Sequence, residues 1–89
     1  HLDPIVMGDE TVNELRALAE RSAKAVRAEF SIHDFRMTMG ESTFNMIFDL
    51  VIPADCDISS ADAEKAVVEK IHEEKPNCFC VIRVEHPFV

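Results

Sequence analysis

Two segments of the chain carry hydrophobic residues at the spacing of an amphipathic helix. The first covers residues 11–28 and begins with Thr11 and Glu14, which have capping-box spacing. The second covers residues 60–74 and follows Ser59, a potential helix cap. The pattern therefore predicts two helices, each with one apolar face.

Three other segments, 30–38, 43–52 and 78–85, are rich in β-branched and aromatic residues and predict strands. A turn at Gly40 joins the first two into a hairpin. The second strand has one wholly apolar parity, which we expect to face the core: Phe44, Met46, Phe48, Leu50 and Ile52. In the first strand the apolar residues do not keep to one set of alternate positions. This change indicates a β-bulge or a second buried face.

These elements predict an α+β fold, a two-layer ferredoxin-like sandwich with αββαβ order, in which two helices cover a three-stranded sheet. With 89 residues the chain is one small domain, near the size at which a partner helps stability. Residues 1–8 contain Pro4 and Gly8 and are interpreted as an extended lead-in tether, and residues 9–89 as the domain.

The sequence begins with His1 and has no signal-peptide pattern at its start, so we expect an excised part of a longer protein. No segment approaches the roughly 20 apolar residues that a membrane helix needs. Any membrane-spanning part is therefore expected outside this chain.

Composition narrows the function classes. Nine Lys and Arg against seventeen Asp and Glu give a formal charge of -8, which disfavours nucleic acid and attracts cations. The chain has two glycines, no Tyr, no Trp and no glycine-rich loop, so we do not expect an enzyme. Three cysteines without a C-x-x-C pair suit a reducing cytosol, and Cys78 and Cys80 are interpreted as buried thiols rather than a soft-metal pair.

Histidines and carboxylates are the remaining candidates for chemistry. A three-residue turn at residues 40–42 sets Met39 opposite Thr43. The same register sets His33 opposite Asp49, with Cβ atoms about 5 Å apart. An imidazole and a carboxylate at that distance suit a divalent metal ion, although a hydrogen bond between them is the simpler alternative. His86 follows the last strand, and His72 is interpreted as a solvated residue of the second helix. His1 and Asp3 are weaker candidates because an unattached terminus is usually mobile.

Four strings resemble the cytoplasmic C-terminal domain of the cation diffusion facilitators, a family of divalent-metal efflux transporters. The strings are Ile32-His33-Asp34-Phe35-Arg36, Ile47-Phe48-Asp49-Leu50-Val51-Ile52-Pro53, Val84-Glu85-His86-Pro87-Phe88 and the opening His1-Leu2-Asp3-Pro4-Ile5, which is similar to the lead-in of bacterial members. The likeness spans the whole chain.

The resemblance implies a metallochaperone-like fold and a V-shaped homodimer below the inner or plasma membrane, joined to the membrane domain of the same polypeptide. It also implies that the dimer binds zinc or similar ions, which tighten it and modulate transport. His33 matches a family histidine, Asp49 and His86 fall where some members have His and Asp, and Asp62 lies near a further ligand position. This exchange of donors leaves Mn²⁺, Fe²⁺, Co²⁺ and Cd²⁺ as alternatives to Zn²⁺.

We expect His33, Asp49 and His86 to converge near the subunit seam as part of one metal site. Two alternatives remain. One is a regulatory module for a small molecule, which requires a pocket with apolar walls and backbone donors. The other is a dimerisation module that binds no metal.

Overall fold

The computed structural model describes residues 5–86, with side-chain environments from residue 10 onward. Its elements in chain order are α1 (Ile5–Val26), β1 (Ser31–Met39), β2 (Phe44–Val51), α2 (Ser60–Glu74) and β3 (Cys78–Glu85). The predicted αββαβ fold is confirmed. Among these elements, no helix has both the length and the apolar character needed to cross a membrane.

The first helix begins earlier than the sequence pattern suggested. α1 starts at Ile5, so residues 5–8 are helical rather than extended, and Thr11 lies within the helix instead of capping it. A single interior glycine, here Gly8, costs a helix only about 1 kcal/mol relative to alanine, which a long continuous helix tolerates. The helix ends at Val26, before a turn in which the Phe30 amide donates to the Arg27 carbonyl at 3.1 Å.

The sheet has the strand order β1-β2-β3, with β1 and β2 antiparallel and β2 and β3 parallel. Parallel neighbours need a crossover, which α2 supplies. Both helices pack on one face of this sheet. The alternate apolar side chains of the β2 segment that were predicted to face the core contact the helices there. Four of these five side chains are fully buried and Phe44 is half-buried against them: Met46, Phe48, Leu50 and Ile52.

A β-bulge interrupts the β1–β2 hairpin. Near the turn Met39 pairs with Phe44, not with Thr43 as predicted, but the register shifts between His33 and Arg36. Asp34 lies in this bulge with φ 55°, in the left-handed region that side chains other than Asn, Asp and Gly rarely adopt. The bulge predicted from the change of parity in β1 is thus present.

Neither of the two helices in residues 5–86 packs on the second face of the sheet, and we call this face the open face. Its central strand contributes residues of the parity opposite to the core, and the flanking strands contribute their register partners. The open face comprises Ser31, His33, Arg36, Thr38, Asn45, Ile47, Asp49, Val51, Phe79, Val81, Arg83 and Glu85. Polar and apolar side chains alternate along it.

Candidate metal site

The hairpin brings His33 and Asp49 together on the open face. They are Cα partners in the β1–β2 ladder, as the sequence predicted, although the register that places them there depends on the bulge. The His33 side chain is exposed, whereas Asp49 lies on the central strand and is only 9% exposed. The pair therefore offers one accessible imidazole beside one sheltered carboxylate.

The Asp49 carboxylate has no hydrogen bond or ion pair with any residue of the described part of the chain. The cross-strand hydrogen bond to His33, the simpler alternative, is likewise absent among those residues. The Asp49 oxygen atoms still reach solvent, because no buried side-chain oxygen or nitrogen lacks a partner among the described residues. Asp49 is therefore chemically suited to receive a cation from outside the subunit.

His86 lies on the other side of the sheet from this pair. Its Nδ1 is 3.1 Å from the Ile52 carbonyl oxygen and its Nε2 is 3.1 Å from the Ser60 hydroxyl. Since a carbonyl only accepts, Nδ1 carries a proton and donates it. In the tautomer protonated only at Nδ1, Nε2 accepts the hydrogen of the Ser60 hydroxyl. His86 joins the end of β3 to the start of α2.

The other predicted ligands are not brought to His33 and Asp49 either. Asp62 is exposed in the first turn of α2, where its backbone amide donates to the Ser59 hydroxyl at 3.1 Å. An acidic side chain there also complements the helix dipole. His1 and Asp3 lie outside the described residues. Within residues 5–86, no three His, Cys, Asp or Glu side chains form a group that could hold a metal ion.

No protein-family model matches the sequence, and no curated protein matches it significantly. Solved structures do. CzrB, a proposed zinc transporter, matches with a TM-score of 0.67 and 21% identity over 99% of this chain and 100% of that one. A MamM C-terminal domain with aspartate-to-alanine and histidine-to-alanine substitutions gives a TM-score of 0.71 at 9% identity, covering 90% and 99%. The metal-bound C-terminal domain of the CzcD transporter from Thermotoga maritima gives 0.58 at 15%, covering 83% and 91%.

The chain has the fold of transporter C-terminal domains. The resemblance noted in the sequence to the cation diffusion facilitators is confirmed at the level of the fold, since the structural neighbours are C-terminal domains of such transporters.

The thiols of β3 face the helices and not the open face. Cys78 is fully buried and Cys80 is half-buried against the core. Burial raises the pKa of both thiols above the usual 9.0, that of Cys80 to about 11 with a further contribution from Cys78. Without metal, both thiols therefore stay protonated at neutral pH and pack as small apolar side chains of the core.

Two cavities among the described residues differ from a typical small-molecule pocket. A groove of about 250 Å³ between the helices is lined largely by charged side chains, among them Arg21, Lys70 and Glu74. A second depression, of about 390 Å³, lies over the bulge at Asp34, Phe35 and Arg36. Neither has the predominantly apolar walls of such pockets.

The sequence predicted the wrong environment for one residue, His72, and did not single out another, Arg83. His72 is half-buried rather than solvated, and its Nε2 donates to the Cys78 carbonyl at 2.7 Å, which ties α2 to β3. Arg83 is the β3 partner of Asp49 on the open face. The sequence signal for Arg83 was present, because a parallel pairing of β2 with β3 follows from the βαβ order, but its register does not.

Proposed function

We propose that this chain is the cytoplasmic regulatory domain of a divalent-metal efflux transporter, and that zinc or a similar ion bound at His33 and Asp49 stabilises a homodimer. The domain would be joined to the membrane part of the same polypeptide and would regulate transport in response to the cytoplasmic metal concentration. The observation that carries the proposal is the pairing of Asp49, a nearly buried residue whose carboxylate has no partner among the described residues, with an accessible imidazole on the sheet face that neither described helix covers.

The open face has the character of a surface that a second copy covers. Phe79 is 52% exposed and Val81 is 61% exposed, and Ile47 lies beside Val81 on the central strand. Exposed apolar side chains that are contiguous and bordered by charged residues are typical of protein interfaces. A second copy that packs on this face would bring two His33–Asp49 pairs near one another.

Two such pairs fit a borderline cation. Each copy supplies one nitrogen and one oxygen donor. A tetrahedral zinc site takes four ligands, so the donors of two copies together make up a full set. Charge gives the ion a second role, because each copy carries a formal charge of -8 and two copies repel each other. A divalent cation between the Asp49 carboxylates offsets part of that repulsion.

Two neighbours support metal as the ligand class. The CzrB protein has been solved in a zinc form at a TM-score of 0.67 to this chain, and the CzcD C-terminal domain with metal bound. A metal that binds only the closed dimer stabilises it by about 2.7 kcal/mol at a hundredfold excess over Kd. That free energy is large enough to shift the balance between an open and a closed V-shaped dimer.

His86 and Asp62 are proposed as ligands of a separate position at the start of α2, with His1 and Asp3 as further donors. The His86 ring is suited to this because metal-bound histidines generally donate their second ring nitrogen to a carbonyl, as Nδ1 does to Ile52. A metal there would replace the Ser60 hydroxyl at Nε2. This position and the open-face pair are distinct within one subunit.

A dimerisation domain that binds no metal is the second candidate. It is favoured by Phe79 and Val81, the exposed apolar side chains of β3. In that event the open face still pairs with a second copy, but zinc does not change the strength of the pairing.

The test is a zinc titration followed by thermal melting, with the His33→Ala, Asp49→Ala double variant beside wild type. Wild type is expected to gain on the order of 10 °C at a hundredfold excess of zinc, and the variant little. The matched control is Thr38→Ala, Asn45→Ala, which removes another cross-strand pair of the same hairpin and face, joined by a 3.2 Å hydrogen bond. Equal zinc responses in all three proteins would exclude the open-face pair as the site.

A further inference from the structure

A cation flanks Asp49 on the side away from His33. Arg83 is the Cα partner of Asp49 in the parallel β2–β3 ladder, as His33 is in the antiparallel β1–β2 ladder. One row of the open face therefore crosses all three strands as imidazole, carboxylate and guanidinium. Side chains directly opposite on one sheet face have Cβ atoms about 5 Å apart, within reach of an arginine side chain.

The guanidinium of Arg83 is only weakly held where it lies. Its Nη2 is 3.8 Å from Glu85 Oε2, and the Arg83 side chain is 78% exposed. An exposed ion pair of this length contributes little to stability, so the side chain exchanges readily with other partners. The neighbouring Asp49 residue, by contrast, is only 9% exposed, and its carboxylate has no ion pair among the described residues.

We propose that Arg83 is an internal competitor for the metal site: in the metal-free protein its guanidinium exchanges between Glu85 and Asp49, and a metal must exclude it from Asp49 to bind. This inference rests on the proposed function and adds a means of setting its threshold. The stronger the pairing of Arg83 with Asp49, the higher the free metal concentration at which the dimer closes. Opposite charges attract appreciably when they come together on the partly desolvated surface of a sheet.

Arg36 provides a matched control. It is an exposed arginine of the same open face, but it lies opposite Ile47 and not Asp49. Arg36→Gln and Arg83→Gln change the net charge by the same amount and leave the core untouched. Any difference between the two variants therefore reports the position of the charge and not its sum.

The first measurement is made without metal, by thermal melting of Arg83→Gln, Asp49→Asn and the double variant in the presence of a chelator. If Arg83 neutralises Asp49, Arg83→Gln lowers the melting temperature by a few degrees, and the same change has much less effect when residue 49 is already Asn. Arg36→Gln should show the same effect in both backgrounds. Additive effects of Arg83→Gln and Asp49→Asn would overturn the proposal whether or not the protein binds zinc.

The second measurement is the zinc dissociation constant by isothermal titration calorimetry. Arg83→Gln is expected to bind zinc about three- to tenfold more tightly than wild type, a range typical of removing one competing ion pair. Arg36→Gln should be close to wild type. Equal affinities of the two variants would overturn the competition. If none of the proteins binds zinc, the proposed function is contradicted, and the competition with it. The melting experiment without metal would still decide whether Arg83 pairs with Asp49.

Discussion

The two thiols of β3 illustrate how the environment of a residue decides its chemistry. Cys78 and Cys80 occupy alternate positions of one strand, an arrangement that can bind soft metals when both are thiolates. Both instead face the helices, and burial raises the pKa of each. At neutral pH they are protonated and act as small apolar side chains of the core.

The raised pKa of Cys80 makes stability depend on pH in the alkaline range. The unfolded thiol loses its proton near the usual 9.0, whereas the folded thiol keeps it until about 11. The stabilisation is therefore complete below pH 9 and is lost as the pH rises towards 11. Urea unfolding of wild type and Cys80→Val across this range should show a steeper decline in wild type. Parallel curves would mean that Cys80 titrates normally in the folded protein.

The sequence predicted some site residues and not others for identifiable reasons. The pairing of His33 with Asp49 was predicted from a three-residue turn and the period of two along a strand, and it is right because the bulge offsets the one-residue difference at the turn. The position of His86 depends on the direction of the chain after β3 ends. There the ring forms hydrogen bonds with the Ser60 hydroxyl and the Ile52 carbonyl. His72 depends on a contact between α2 and β3 that helical periodicity does not reveal.

At the scale of elements, the β1–β2 hairpin depends on its bulge. Counting back from the turn alone gives a different register near Met39 and Phe44 from the one observed, and the extra residue at the bulge restores the pairing of His33 with Asp49. The two departures from the predicted register cancel at that pair. The bulge is thus what places the candidate ligands opposite each other.

Substitutions at Asp34 test the bulge. Asp34 has φ 55°, which glycine adopts freely and a β-branched residue does not. Asp34→Val is therefore expected to lower the free energy of unfolding by about 1–3 kcal/mol, while Asp34→Gly stays within about 1 kcal/mol of wild type. Urea denaturation measures both. If Asp34→Val is as stable as Asp34→Gly, the left-handed conformation is not maintained in solution.

The N-terminus of α2 was predictable because its signals are local. Ser59 is the N-cap, with its hydroxyl accepting the Asp62 amide at 3.1 Å, and α2 has the predicted bounds. The start of α1 was not predictable in this way, because Thr11 and Glu14 have capping-box spacing within a helix that had already begun. Spacing alone does not distinguish a cap from an interior turn.

Ser59→Ala should lower the free energy of unfolding by about 1 kcal/mol, because the Asp62 amide loses its acceptor. Ser59→Asp keeps an acceptor and serves as the control, with stability expected near that of wild type. Thermal melting would register the loss as a fall of about 4–8 °C for a domain of this size. A fall of that size in Ser59→Asp as well would indicate that the hydroxyl has another role.

At the scale of the whole molecule, the central question is what covers the open face. The helices cover one side of the sheet, and the other side exposes Phe79 and Val81 from β3. Small domains bury a smaller fraction of their surface than large ones do, so covering an apolar sheet face by association adds stability that the single chain lacks.

Val81→Lys tests whether that surface is an interface. A lysine in the middle of the apolar side chains would place a charge in a dry contact, so the dimer should weaken by at least about tenfold. Glu69→Gln changes the net charge by the same one unit on an exposed position of α2 and should leave association unchanged. Light scattering over a range of protein concentrations gives the comparison. If both variants associate as wild type does, copies meet on another surface.

The most direct test of the central claim is sedimentation equilibrium of the wild-type chain and the His33→Ala, Asp49→Ala variant, with zinc and with a chelator. If metal at these residues stabilises the dimer, a hundredfold excess of zinc over its Kd lowers the wild-type dimer dissociation constant by about a hundredfold. The variant should have nearly the same dimer dissociation constant under both conditions. A wild-type dimer whose dissociation constant is the same with zinc as with chelator would contradict the account.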